Sequence, residues 1–265
     1  MMKRAISILA IAAAIPAGTF AQFGPPPPPP PRVAKEAAPI DLTGNWVSVV
    51  TEDYRWRMVT PLKGDAASIP YKTEARKVID AWDPAKDETA GLQCRAYAAP
   101  GVMRLPGRLR ISWQDDSTLK IETDAGTQTR VFHFAPPGGQ IQAPANTPAS
   151  WQGYSIAKWE SPIAPPVGGI PVGMSARFGA RSRSLEAETT HLREGYLRKN
   201  GVPFSDKTKL TEYYDRFTAP NGDQWFTVTT IVDDPVYLAT PFVTTTDFKK
   251  EADGGKFSPV PCSAR

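Results

Sequence analysis

From Arg108 onward, apolar and polar residues take turns along the chain. In RLRISW, Leu109, Ile111 and Trp113 alternate with Arg108, Arg110 and Ser112; beyond QDDS, Leu119, Ile121 and Thr123 alternate with Lys120, Glu122 and Asp124; after Ala125-Gly126 comes TQTRVFHF. A period of two is that of a strand with one covered face, and connections this short join antiparallel neighbours, so the three stretches predict a meander. The same reading predicts strands at 151–160 (WQGYSIAKWE), 185–192 (LEAETTHL), 208–217 (TKLTEYYDRF), 224–232 (QWFTVTTIV) and 241–248 (PFVTTTDF). Asn221-Gly222, inside APNGD, marks the tight turn of a hairpin over 208–232. Near the start, Gly44-Asn45-Trp46 runs into the β-branched VSVVT. One stretch has the other period: in IPYKTEARKVIDAWDPAKDE, Ala75, Val78, Ile79 and Trp82 recur at spacings of three and four. With Thr73 to cap it and Pro84 to end it, this predicts one helix, over 73–82, whose apolar face lies against the body of the protein. Residues 135–150 and 161–184 have neither period and are rich in Pro, Gly, Ala and Ser, the composition of surface loops. Loops of that length are functional flaps or insertions.

The ends change the picture more than the bulk composition does. MMKRAISILAIAAAIPAGTFAQ has a basic start at Lys3 and Arg4, an apolar run from Ala5 to Ile15 and small residues before Ala21. That is the pattern of a secretory signal peptide cleaved after Ala21, with Pro16 and Gly18 breaking the run short of the roughly 20 apolar residues a membrane span needs. A soluble periplasmic or extracellular chain is expected. Residues 22–40 read as a linker, in which Pro25 to Pro31 form a stiff polyproline II rod of roughly 20 Å. Residues 41–265 then make one domain. The formal charge is +4, and residues 1–21 carry Lys3 and Arg4 but no acid, so removing them leaves +4 − 2 = +2. That near balance, with no basic stripe interleaved with aromatics, argues against nucleic acid as a partner. The local cluster Arg177, Arg181 and Arg183 reads as a solvated loop. Two cysteines, Cys94 and Cys262, in an oxidising compartment predict a disulfide tying the C-terminal tail to the early part of the domain.

Several chemistries have no carrier here. Two histidines and two paired cysteines leave no metal site, and there is no HExxH, no GxSxG, no P-loop and no GxGxxG following a strand. An enzyme of this sequence would work without metal or organic cofactor. Its candidates are His133, which shares a strand face with Thr127, Thr129 and Val131, and His191, which shares one with Leu185, Ala187 and Thr189. If both faces turn inward, two imidazoles meet inside a barrel. Glu212 alternates with Leu210 and Tyr214, which would carry it inward and Asp215 outward. Asp233 and Asp234 before Pro235 read as turn formers, and the alternating Glu52, Asp53, Arg55 and Arg57 of TEDYRWR as a cross-strand ion-pair ladder.

Taken in order, LTGNW, TEARKVIDAWDPAKD followed by a cysteine, SWQGYSIAKWE, GVPFSDKTKLTEYYDR and TTIVDDPVYLATPF resemble a large family of secreted bacterial proteins without an assigned biochemical function. The resemblance runs from Leu42 to Phe242. It departs from the family's pattern in the insertion SPIAPPVGGIPVGMSARFGARSRS after Glu160, and in Phe204, which stands where the family's GxPHS stretch has histidine. Gly44-Asn45-Trp46 also resembles the GxW that starts lipocalins, although the lipocalin TDY-type loop motif is missing.

The fold expected is mainly β: a single antiparallel, lipocalin-like β-barrel or strongly curved sheet of about eight to ten strands with one short helix. The leading functional expectation is a carrier or sensor binding a small apolar or aromatic molecule in the barrel, with Trp46, Trp113, Tyr154, Tyr214 and Trp225 facing inward. The alternatives are a cofactor-independent isomerase, lyase or hydrolase using His133, His191 or Glu212 at the barrel mouth, and an envelope interaction module on a polyproline stalk. Oligomeric state is left open.

Overall fold

The period-two stretches become strands close to where they were expected. The computed structural model describes residues 30–160 and 184–264, and within it the strands are β1 (Gly44–Val49), β2 (Arg108–Asp115), β3 (Thr118–Thr123), β4 (Ala125–Gly126), β5 (Thr129–Phe134), β6 (Tyr154–Trp159), β7 (Leu185–Thr190), β8 (Gly195–Arg198), β9 (Val202–Phe204), β10 (Lys209–Thr218), β11 (Gln224–Asp233), β12 (Phe242–Glu251) and β13 (Val260–Pro261). The leader, residues 22–29 of the linker and residues 161–183, with Arg177, Arg181 and Arg183, lie outside the described residues.

Nine strands close a barrel in the order β1-β12-β11-β10-β7-β6-β5-β3-β2. Every neighbouring pair is antiparallel except β5 and β6, which run parallel. A parallel pair needs a crossover of about a dozen residues or more, and the aperiodic stretch after Phe134 supplies it. Its role is topological: it carries the chain back to the end from which β5 began.

Along its strands the barrel interior reads apolar, polar, apolar. On β10 the inward residues are Leu210, Glu212 and Tyr214; on β11, Val232, Thr230, Val228 and Phe226; on β12, Phe242, Thr244, Thr246 and Phe248. Tyr214, Phe226 and Phe248 join Trp46, Leu109, Ile121, Phe132 and Leu185 in one cluster. Leu210, Val232 and Phe242 belong to another. Between them lies a belt containing Arg130, Ser155, Thr189, Glu212, Thr230 and Thr246, each at most 2% exposed.

Each end of the barrel is closed by chain from outside it. At the first, the turn α1 (Ala34–Ala37) lies against Trp159, whose indole Nε1 donates to the Ala34 carbonyl at 2.7 Å. The end of the stretch read as linker is thus part of the packed body: Ala34 is buried in the first cluster, with Ile40 against it. At the other end sits a run of short helices, α2 (Tyr54–Arg57), α3 (Thr73–Ala81), α4 (Pro84–Thr89), a 3-10 turn (Gln93–Tyr97) and α5 (Ala99–Val102), together with the hairpin β8–β9. Ala75 and Ile79 of α3 pack with Val202 and Phe204 of β9 and with Leu210 and Val232 of the barrel.

Helix α3 occupies the stretch its periodicity predicted, but Thr73 is its first residue and the preceding Lys72 makes no side-chain cap. Pro84 begins α4 where a stop was expected. Proline suits a first helical turn, and the Asp83 side chain accepts a hydrogen bond from the Ala85 amide at 3.0 Å. Residues 195–204, which carry too few periods to predict an element, form the hairpin β8–β9. Cys94 and Cys262 form the expected disulfide, next to the short parallel pair β4–β13. No helix among the described residues is long and apolar enough to cross a membrane.

Candidate functional site

Strand parity decides where the candidate residues of the barrel go. On β5 the inward residues are Arg130, Phe132 and Phe134, so Thr129, Val131 and His133 face outward. His133 therefore lies on the outer surface, stacked on Tyr154 with ring centroids 4.5 Å apart and planes 13° from parallel. Burial in that stack lowers its pKa, against the opposing charge of Asp115. His191 is exposed just past the end of β7 at φ 56°, with Nδ1 2.9 Å from the Thr190 hydroxyl. The two imidazoles do not meet inside the barrel. Tyr154 and Trp225, expected inside, also face out: Trp225 is paired across the strand with exposed Phe217, and Lys249 Nζ lies 5.7 Å from its ring.

Trp46 and Tyr214 do point inward, and both are fully buried. Trp46 donates from Nε1 to the Leu42 carbonyl at 2.9 Å and packs edge-on against Phe226. Trp113 is partly buried at the end closed by α1, between Phe134 and Trp159. These rings, with Phe132, Phe226 and Phe248, fill one half of the lumen in mutual contact. In the belt, Glu212 holds Arg130 by two hydrogen bonds, at 2.7 and 2.6 Å, and neither side chain is exposed at all. Burial opposes the Arg130 charge, but Glu212 and then Tyr214 outweigh it and raise its pKa. Burial, then the Glu212 charge, raises the Tyr214 phenol well above its ordinary range. The centre of the barrel is a neutralised, closed ion pair.

An open cavity lies outside the lumen, where β1 ends and β2 begins. Its walls come from residues 56–61, from residues 96, 97, 101 and 104–106 with Ala125, and from residues 197–199 where β8 ends. TEDYRWR is not a ladder here. Asp53 takes a left-handed φ of 52°, which aspartate tolerates, and Tyr54–Arg57 makes one helical turn that directs Trp56 and Arg57 to the cavity. Tyr97 is held by its surroundings: Gly126 lies so close that a Cβ there would sit 2.1 Å from the Tyr97 ring, and the disulfide pins the turn carrying it. The cavity holds about 250 Å³. That is below the roughly 300–1,000 Å³ of drug-sized sites, so its occupant is a small molecule or one end of a larger one.

Three arginines, Arg57, Arg104 and Arg198, border this cavity, each 6% exposed. Arg57 is fully engaged: Nε donates to the Arg104 carbonyl at 2.9 Å, Nη1 to Glu52 at 2.5 Å and Nη2 to Ser48 at 3.1 Å. Arg104 pairs with Asp53 through Nη2, and its Nη1 has no acceptor. Arg198 donates Nη1 to the Ala67 carbonyl at 2.8 Å and lies over the Trp56 ring at 4.6 Å, while Nε and Nη2 have no acceptor. Burial, then the Arg104 charge, pushes Arg198 down to about 10, with Asp53 and Asp65 opposing. Burial likewise lowers Arg57, against Glu52.

In the chain Arg57 stood out only as part of a supposed ladder, and Arg104 and Arg198 not at all, because the three come from segments brought together only by folding. The one available sign was the excess of positive charge over nearby carboxylates at Arg104 and Arg198. Asp234, read as a turn former, is one: buried, it accepts from the amides of Ser205, Val236 and Tyr237 and from the hydroxyls of Ser205 and Thr208. Among the described residues no three His, Cys, Asp or Glu side chains gather to hold a metal ion. Comparisons of the chain with family models, with curated proteins and with solved structures find no match in any of the three.

Proposed function

We propose that this chain is a secreted binding protein for a small apolar or aromatic molecule, and that the ligand sits in the cavity beside the barrel and not in its lumen. The observation that carries the reading is the pairing of a filled barrel with an open cavity walled by Trp56 and Tyr97. Beside it, Met58 and Val59 expose apolar surface, at 45% and 64%. Isolated exposed apolar side chains are ordinary, but here they adjoin a concave aromatic site and extend it. The signal-like N-terminus and the disulfide support a secreted setting.

An amide-resolved NMR titration of the protein with neutral aromatic fragments such as indole and benzamide tests this. Saturable shifts are expected at residues 56–60, 96, 97, 101, 104, 105, 125 and 197–199. Shifts confined to other surfaces, or none at millimolar fragment, would refute the assignment.

A further inference from the structure

The segment that carries Trp56 to the cavity also holds the densest exposed apolar surface of the molecule. Nine large apolar side chains are exposed among the described residues, and four of them, Tyr54, Met58, Val59 and Leu62, fall within residues 54–62, at 67, 45, 64 and 80%. Apolar side chains scattered over a surface are ordinary, but a cluster of them on one short segment marks a contact. The backbone that presents them is tied down. The Leu62 carbonyl accepts from Asn200 Nδ2 at 2.9 Å and from the Asp65 amide at 3.0 Å, and Trp56 Nε1 donates to Asp65 at 3.2 Å. Pro61, one residue before, is buried. The fold thus fixes Leu62 by its main chain and leaves its side chain the most exposed of the nine. The charge around the patch is positive. Arg55 pairs with Asp65, Arg57 with Glu52 and Arg104 with Asp53, so every carboxylate of residues 51–65 is already matched by an arginine. Exposed Lys63, and Arg198 against the Trp56 ring, are the surplus.

We infer that residues 54–62 dock this protein on an anionic lipid surface, with Tyr54, Met58, Val59 and Leu62 among the outer acyl groups and Lys63 at the headgroup phosphates. Aromatic and aliphatic tips beside a basic residue are the composition that enters a lipid–water boundary, the apolar parts going in and the cation staying with the headgroups. A protein partner fits less well. Even large side chains offer only about 150–250 Å² each, so four partly exposed ones fall short of the roughly 800 Å² per partner of a stable interface. Insertion into lipid needs no matching shape. The inference goes beyond the proposed ligand site and stands apart from it, since Tyr54 and Leu62 do not line the cavity. Met58 and Val59 belong to both, so the cavity opens beside the lipid.

The test is co-sedimentation of the chain from Gln22 onward, the expected mature form, with vesicles of phosphatidylcholine alone and of phosphatidylcholine mixed equally with phosphatidylglycerol. Partition into the mixed vesicles is expected to exceed that into phosphatidylcholine by about fivefold or more, the effect of one surface lysine, and to weaken with added salt. K63Q should remove most of that preference. Y54S/L62S should lower partition into the mixed vesicles by about tenfold or more, the loss of two inserted apolar side chains. F217S, which removes an apolar side chain 48% exposed at the other end of the barrel, should bind as the parent does. Melting temperatures should stay at the parent's, because all these positions are exposed. A parent chain that sediments with neither vesicle would overturn the inference, as would Y54S/L62S partitioning like the parent. An equal loss in F217S would mean that general surface apolarity drives binding and not this segment. Equal partition into both vesicles would remove the anionic preference. A parent chain that self-associates on size exclusion while Y54S/L62S is monomeric would make the segment an interface between copies instead. Each of these outcomes leaves fragment binding at the cavity untouched, so the two proposals fail separately.

Discussion

Arg130 and Glu212 meet across the middle of the barrel, fully enclosed, through two short hydrogen bonds. Such a pair is not a reliable source of stability, since desolvating both charges costs about as much as their attraction returns, but breaking it strands one charge in a dry interior. E212Q or R130M alone should therefore destabilise the fold by about 3–5 kcal/mol, whereas the double change R130M/E212L should recover most of that loss. Urea denaturation of the three variants measures it; equal loss in the double and single variants would contradict this account of the belt. Glu212 was legible as an inward residue because Leu210 and Tyr214 flank it at period two. Arg130 was not, because an arginine gives no apolar signal and Val131 makes the wrong face of TQTRVFHF look buried. The misplacement of His133 follows from the same ambiguity: with alternation this even, only the contacts of Phe132 and Phe134 with the core fix the phase.

At the scale of elements, two turns separate what local chemistry specifies from what surroundings specify. Gly201, at the tip of the β8–β9 hairpin, and Gly222, in the β10–β11 turn, have almost the same left-handed φ, 83° and 86°. Around Gly222 there is open space, while a Cβ on Gly201 would fall 2.2 Å from the Trp82 ring. G222A should cost only the backbone term, about 1–2 kcal/mol, and G201A clearly more, because Trp82 beyond the end of α3 must also move. Thermal or chemical denaturation of both variants provides the comparison; equal losses would mean that the Trp82 contact contributes nothing. Asn221-Gly222 was readable because the turn's own backbone demands it. The β8–β9 hairpin and the helical turn Tyr54–Arg57 were not, because short elements carry too few periods to be distinguished from loops. They exist because each is packed against or hydrogen-bonded to neighbours remote in the chain, as Arg57 Nε is to the Arg104 carbonyl.

For the whole molecule, the barrel is one layer and its two end closures are another, and the disulfide ties the later part of the chain into the second. Cys94 and Cys262 are 168 residues apart, so on the chain-entropy account their bond restricts the unfolded chain by up to about 5 kcal/mol. Replacing both with alanine should lower stability by about 2–5 kcal/mol, and amide exchange should rise first at Tyr97, Gly126 and residues 260–264, which the bond holds together. Urea denaturation with hydrogen exchange tests this; unchanged stability would mean that the tail is held by its other contacts alone. Strand number, the antiparallel meander, the main helix and the cysteine pair were all readable from period and composition, because hydrophobic alternation and turn residues act over a few neighbours. The parallel β5–β6 step, the inward parity of β5, the closed lumen and the arginine-lined cavity were not. Each depends on which remote segments meet, and Arg57, Arg104 and Arg198 become one site only when the barrel end, the helical cap and the β8–β9 hairpin are folded against each other.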